Sequence, residues 1–208
     1  MNLFNQKEIA DTMRSPLKQF THNKEGNAAI EFAFIVPLFI LLFLGCFVAF
    51  DAFRAQRVMT TSTIVVSDLT TRFVEVDDQE LNNLYIAAES LLGSYVTTSD
   101  LEYTITSVVN PLGNDDDPTV VWSHSTEPSN ELTTADLAQL DLPEIDDGET
   151  IIVVKAEGTH TPRLAPAFLK PTGLGLTFNV DEIAVRRPRL VREICFRENL
   201  TDVICSSN

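Results

Sequence analysis

Three histidines, three cysteines, a run of aspartates and a cluster of arginines have the greatest chemical reach in this 208-residue chain. His22, His124 and His160 have no cysteine or carboxylate at recognisable metal-ligand spacing, so each reads as an exposed or strand histidine. Asp115-Asp116-Asp117 could attract a hard cation, but without the spaced ligands and terminal Glu of a calcium loop it reads as a solvated hairpin loop. There is no glycine-rich phosphate loop, nucleophile elbow or Cys-x-x-Cys pair. No enzyme, cofactor or metal is expected. Cys195 and Cys205 would form a disulfide if their domain is exported; closing a loop of about 10 residues contributes roughly 2 to 3 kcal/mol in the chain-entropy model. Otherwise they are two free thiols in a loose tail. Cys46 lies in an apolar run and reads as a lipid-facing or packing residue. Arg186, Arg187 and Arg189, with Arg192 and Arg197, form the one basic cluster of an acidic region, where internal pairing with acidic loops is favoured over a docking surface.

One carboxylate stands where chemistry makes it costly. From Ala33 to Phe50 eighteen successive residues carry no charge, and the stretch from Ala28 to Phe50 contains one charged residue, Glu31. As a helix these 23 residues extend roughly 34 Å, enough to cross a hydrocarbon core of about 30 Å. No polar face is present, so burial in lipid is favoured over burial in a small domain. The run is too long for a secretory signal and lacks its small-x-small site. A carboxylate one turn inside lipid costs on the order of 2 to 3 kcal/mol unless paired. If the chain were cut after Gly26, Asn27 would offer a free α-amine one turn from Glu31, or from the Glu of a neighbouring subunit. The bland reading has Glu31 snorkelling to the interface.

The order Gly26-Asn27-Ala28-Ala29-Ile30-Glu31-Phe32-Ala33, followed by Pro37 and a Leu/Phe-rich run, resembles the TadE-like minor pilins (pseudopilins) of the tight-adherence (Tad/Flp) branch of type IV pilus systems. The resemblance covers about residues 24–60. It implies a prepilin peptidase substrate with its processing site at Gly26 and Asn27, and Glu31, Phe32 and Pro37 in assembly or peptidase recognition. It further implies a place in the bacterial inner membrane, other pilins and pilus-assembly proteins as partners, and a role in assembling the fibre. An uncleaved bitopic component of the assembly machine is the second reading, and a membrane-anchored periplasmic enzyme a remote third.

The charges agree with a bitopic chain. Residues 1–72 hold 7 Lys/Arg and 6 Asp/Glu, whereas 73–208 hold 8 and 24. Such an acidic region repels nucleic acid and anionic lipid. Lys7, Arg14, Lys18 and Lys24 in the tail outnumber Arg54 and Arg57 beyond the run, which favours a cytoplasmic N-terminus and a periplasmic C-terminal domain. The expected divisions are a basic leader (1–26) with amphipathic hints at Ile9, Met13, Leu17 and Phe20, a transmembrane helix (27–50), its extension (51–74) and an acidic α+β domain (75–208). In the extension the stripe is Phe53, Val58, Thr61, Val65, Leu69 and Phe73, with Asp68 and Arg72 placed for an i,i+4 pair. A second helix is capped by Asp77 or Asp78, carries Leu81, Leu84, Tyr85, Ala88, Leu91 and Leu92 on one side, and ends at Gly93. A half-buried strand through Tyr103 and Ile105 forms a hairpin with Thr119 to Ser123 across the turn-rich Asn110 to Asn114. A short helix near Thr134 to Leu140, a β-branched strand from Thr150 to Glu157 after the Asp147-Gly148 turn, and a strand from Leu176 to Val185 complete a pilin-like α+β fold of about four antiparallel strands.

Overall fold

The computed structural model describes residues 25–93, 100–112, 118–162, 176–198 and 202–206. They fall into two compact units that meet in sequence at Phe47 and Val48. The tail with His22 and its amphipathic hints, and Asp115 to Asp117, lie outside the described residues.

Helix α1 is Glu25–Thr70 and continues through Pro37. Its part in the first unit exposes apolar side chains in every direction, among them Phe32, Phe34, Leu38, Phe39, Leu41 and Phe43. Beyond Asp51 the helix becomes one-sided. The buried positions are Asp51, Ala55, Met59, Ser62, Thr63, Val66, Ser67 and Thr70, three and four residues apart as a single helix face requires. This corrects the expected stripe: Phe53 is 72% exposed, Thr61 is also exposed, and Val58, Val65, Leu69 and Phe73 are only partly covered. The inner face uses small and hydroxylated residues, which let the helix approach its neighbours closely. Their hydroxyls are satisfied locally, with Thr63 donating to the Met59 carbonyl and Thr70 to the Val66 carbonyl, both at 2.9 Å. Back-bonding and tertiary packing together explain why the β-branched run Thr60 to Val66 stays helical against its propensity.

Strand β1 (Glu75–Asp77) leads into helix α2 (Asp78–Leu92). Asp77 is the N-cap, and a capping box joins it to Glu80: the Glu80 amide donates to the Asp77 carboxylate at 2.8 Å, and the Asp77 amide to Glu80 Oε2 at 3.1 Å. Gly93 ends the helix at φ 58°, a conformation that suits a residue without Cβ. The buried stripe is Leu81, Leu84, Tyr85, Ala88 and Leu92, while Leu91 points outward at 48% exposure.

Four antiparallel strands form the main sheet in the order β3-β2-β4-β5, where β2 is Glu102–Val109, β3 Thr119–Ser125, β4 Thr150–His160 and β5 Phe178–Arg186. The hairpin of β2 and β3 forms with a register shift at Ser107/Val108. Strand β2 is not half-buried. Residues Tyr103 to Val109 are all covered, because each sheet face has its own core. Tyr103, Ile105, Ile152 and Val154 face the two helices, with Met59, Leu81 and Leu92. Val108, Ile151 and Val153 face Leu137 and Ile145 on the opposite side, where the expected short helix is the single 3₁₀ turn Asp136–Gln139. The turn before β4 places Gly148 at φ 72°, a conformation that strains a residue with a Cβ, and a Cβ there would also displace Arg192 Nη2 at 2.6 Å and Leu112 at 2.9 Å.

A second, small sheet was not expected. Its order is β1-β6-β7, with β6 Cys195–Arg197 parallel to β1 and β7 Val203–Ile204 antiparallel to β6. The described C-terminal residues are therefore part of the fold and not a loose tail. Trp122, 4% exposed, donates its indole hydrogen to the Ile194 carbonyl at 2.7 Å and stacks on Phe196, joining this sheet to the main one.

Candidate functional site

Gly26 and Asn27 lie in the first turn of α1, and Glu31 and Phe32 follow one turn later, both exposed. Helical spacing places Phe32, Val36, Phe39 and Phe43 along one seam, where they border a shallow apolar hollow. Offsets of four, three and four residues are those by which one helix offers knobs to another. Pro37 interrupts the backbone ladder by lacking an amide hydrogen, yet the helix runs on past it. Among the described residues, this helix alone is long and apolar enough to cross a membrane, and none of its most apolar window is buried by protein. Such a surface can associate with lipid or with other apolar helices. Cys46 is exposed on it.

In the second unit the arginine cluster is spent largely on internal contacts. Arg187 pairs with Glu149 at 3.0 Å, Arg189 with Asp68, and Arg197 with Glu75 at 2.5 Å, while Arg192 donates to the Gly148 carbonyl at 3.1 Å. Arg72 joins Asp68 at 2.6 Å in the i,i+4 pair. The hydrogen bond from Arg72, reinforced by the charge of Arg189, holds the Asp68 carboxyl below the usual carboxylate range. Cys195 and Cys205 are joined by a disulfide that ties β6 to the residue following β7.

His124 and His160 occupy more structured places than their spacing revealed. His160, at the end of β4, is 2% exposed, and its Nε2 is 3.3 Å from Asp51 Oδ2 on the buried face of α1. His124 on β3 stacks on Tyr85 and lies 3.4 Å from Asp78. Tyr85 donates its hydroxyl hydrogen to the His124 carbonyl at 2.8 Å, and burial pushes the Tyr85 phenol far up. Tyr103 and Ser62 share a buried hydrogen bond of 2.6 Å between sheet and helix. Burial pushes the Tyr103 phenol up to about 12, the hydrogen bond with Ser62 acting in the opposite direction. These pairs were missed because each joins residues far apart in sequence. The one available signal was polar residues recurring on a helix face, at Asp51, Ser62 and Thr63. Among the described residues no group of three His, Cys, Asp or Glu side chains is placed to hold a metal ion. The polar pairs bind helix to sheet, whereas the part of α1 in the first unit leaves its apolar side chains uncovered.

The family model described as TadE-like protein matches residues 26–63, the segment that begins at Gly26 and ends within the buried face of α1. No curated protein and no solved structure matches the chain. Through this segment the chain is similar to the TadE-like proteins of Tad pilus systems, and the same segment holds the apolar helix long enough to cross a membrane.

Proposed function

We propose that this chain is a minor pilin of a Tad (Flp) type IV pilus. It is inserted in the bacterial inner membrane with residues 1–26 as a cytoplasmic leader and trimmed between Gly26 and Asn27 by a prepilin peptidase. It is held by the helix over 27–50, with 51–74 extending that helix and 75–208 forming the periplasmic domain. The observation that carries the reading is the spacing of Gly26 and Glu31, a carboxylate five residues after the glycine at the start of an otherwise apolar run. After cleavage the Asn27 α-amine is the nearest new positive charge. A contact between it and Glu31 of an adjacent subunit fixes the register of neighbouring helices. Phe32 and the seam through Phe39 and Phe43 then pack against other pilins. The work is assembly, not catalysis.

Intact-mass and N-terminal analysis of protein recovered from native membranes, with and without a co-expressed prepilin peptidase, tests this. A peptidase-dependent start at Asn27 is expected. A Met1 start in both samples overturns processing and favours the second reading, a permanent bitopic component of the assembly machine. Polar Asn27 at the first mature position is the observation on the side of that reading.

A further inference from the structure

The charges of the second unit are sorted along β5. At its Arg186 end, Arg72, Arg186 and Arg189 surround Asp68, and all three guanidinium charges act on that one carboxyl. Beside them Leu190 is 68% exposed, and Arg187 takes up Glu149. Asp146 and Asp147 lie farther along, next to the Gly148 carbonyl that receives Arg192. Around Asp68 the balance is positive, in a chain of net charge −15.

At the other end, Glu102, Glu157 and Asp181 are direct cross-strand neighbours on β2, β4 and β5. Three carboxylates in register across adjacent strands destabilise a sheet unless cations answer them. Lys155 reaches Glu157 at 2.9 Å, and Asn130 bonds Glu102. The row lies on the sheet face opposite the two helices, and Asp181 is exposed.

Helix α1 measures the separation. Gln56 donates to the Asp181 carbonyl at 2.9 Å at the acidic end, and Asp68 stands twelve residues later at the basic end, about 18 Å along the helix. That is roughly twice the screening length of about 8 Å at physiological salt, so neither end neutralises the other in solution.

We propose that these ends are complementary docking surfaces: the Arg72–Arg186–Arg189 end of one copy seats on the Glu102–Glu157–Asp181 row of a second copy. Planar guanidinium groups match paired carboxylates in geometry as well as charge. Leu190 supplies an apolar anchor beside them. Because the two surfaces differ, the contact is head-to-tail and repeats from copy to copy without closing on itself. It uses no residue before Val48 and needs no cleavage after Gly26, so it stands or falls apart from the processing step.

The test is sedimentation of the full-length, uncleaved chain in detergent, with Trp122 fluorescence melting as a check on folding. Arg186→Glu and Asp181→Lys are each expected to weaken self-association about tenfold, equivalent to about 1.4 kcal/mol. Combining both in one chain restores it with the signs exchanged, and mixing the two single variants also restores it. Raising salt weakens the wild-type association. A wild-type chain that does not self-associate, single variants that associate normally, or a double variant that stays dissociated overturns the proposal. Association of the Asp181→Lys chain with an unrelated acidic protein in place of its own copy does so as well.

Discussion

Tyr103→Phe isolates the buried hydrogen bond that ties α1 to the main sheet. Tyr103 is 1% exposed, and its hydroxyl lies 2.6 Å from Ser62 Oγ. Removing it leaves Ser62 with the Ala88 carbonyl as a remaining acceptor at 3.3 Å, so the loss near pH 8 is about 1 to 2 kcal/mol. Alkaline pH reverses the comparison. The folded-state phenol is raised from 10.0 to about 12, so the folded chain holds the proton more tightly than the unfolded one. The stability this confers is complete below pH 10 and is lost as pH rises toward 12. At pH 11 the wild type has lost about 1.4 kcal/mol through this group, one unit of pH above the unfolded value. The variant has no such loss, and Tyr85 titrates in both chains and cancels. Urea unfolding in detergent, followed by the single tryptophan, Trp122, should show the two stabilities converging between pH 8 and pH 11. A stability gap that stays constant over that interval refutes the argument.

Three further outcomes are expected. Asp77→Ala removes the α2 cap and lowers stability by about 1 kcal/mol, seen as faster amide exchange in the first turn of α2; unchanged exchange there would show that the cap contributes nothing. Replacing Cys195 and Cys205 together by Ser frees a loop with a sequence separation of 10 and lowers stability by about 2 to 3 kcal/mol, read by urea unfolding against the oxidised wild type. Glu31→Ala abolishes piliation and partner co-purification while leaving membrane insertion intact, and normal piliation would count against the assembly role of that carboxylate.

Elements with strong periodicity are legible in the sequence. The Leu81–Leu84–Tyr85–Ala88 stripe, with Asp77 or Asp78 before it and Gly93 after it, marks α2, of which the structure makes Asp77 the cap, and the alternation through Tyr103 and Ile105 marks β2. What escaped was set by tertiary context. Strands β1 and β6 have three residues each, too few for a period of two to show, and they exist because each supplies the other's hydrogen bonds. The buried side of α1 does not follow its large apolar residues, because close helix–sheet contact selects Ala55, Ser62 and Ser67. The outer face of β2 looked polar through Thr104 and Thr106, yet Ser125 and Ser123 cap those hydroxyls at 3.0 and 2.8 Å and permit burial. At the N-terminal end, Glu31 stands out in the sequence because a charge within an apolar run is conspicuous without a fold. The Asp51–His160 pair, 109 residues apart, had no local signature.

The parallel pairing of β1 with β6 also constrains how the chain reaches this state. Glu75 and Cys195 are register partners separated by 120 residues, and every strand of the main sheet lies between them in sequence. Helix α2 and its capping box can form from neighbouring residues, within microseconds of becoming available. The small sheet must wait until the intervening strands have been synthesised and brought together, since closing so long a loop costs entropy that only the completed sheet returns. During that interval the groups of β1 that later bind β6 have no strand beside them, and Trp122 and Phe196 have not yet met. The disulfide lies wholly within this late segment, tying β6 to the residue following β7, so it is the strand pairing with β1, not the covalent bond, that fastens the last-made part of the molecule to one of the first.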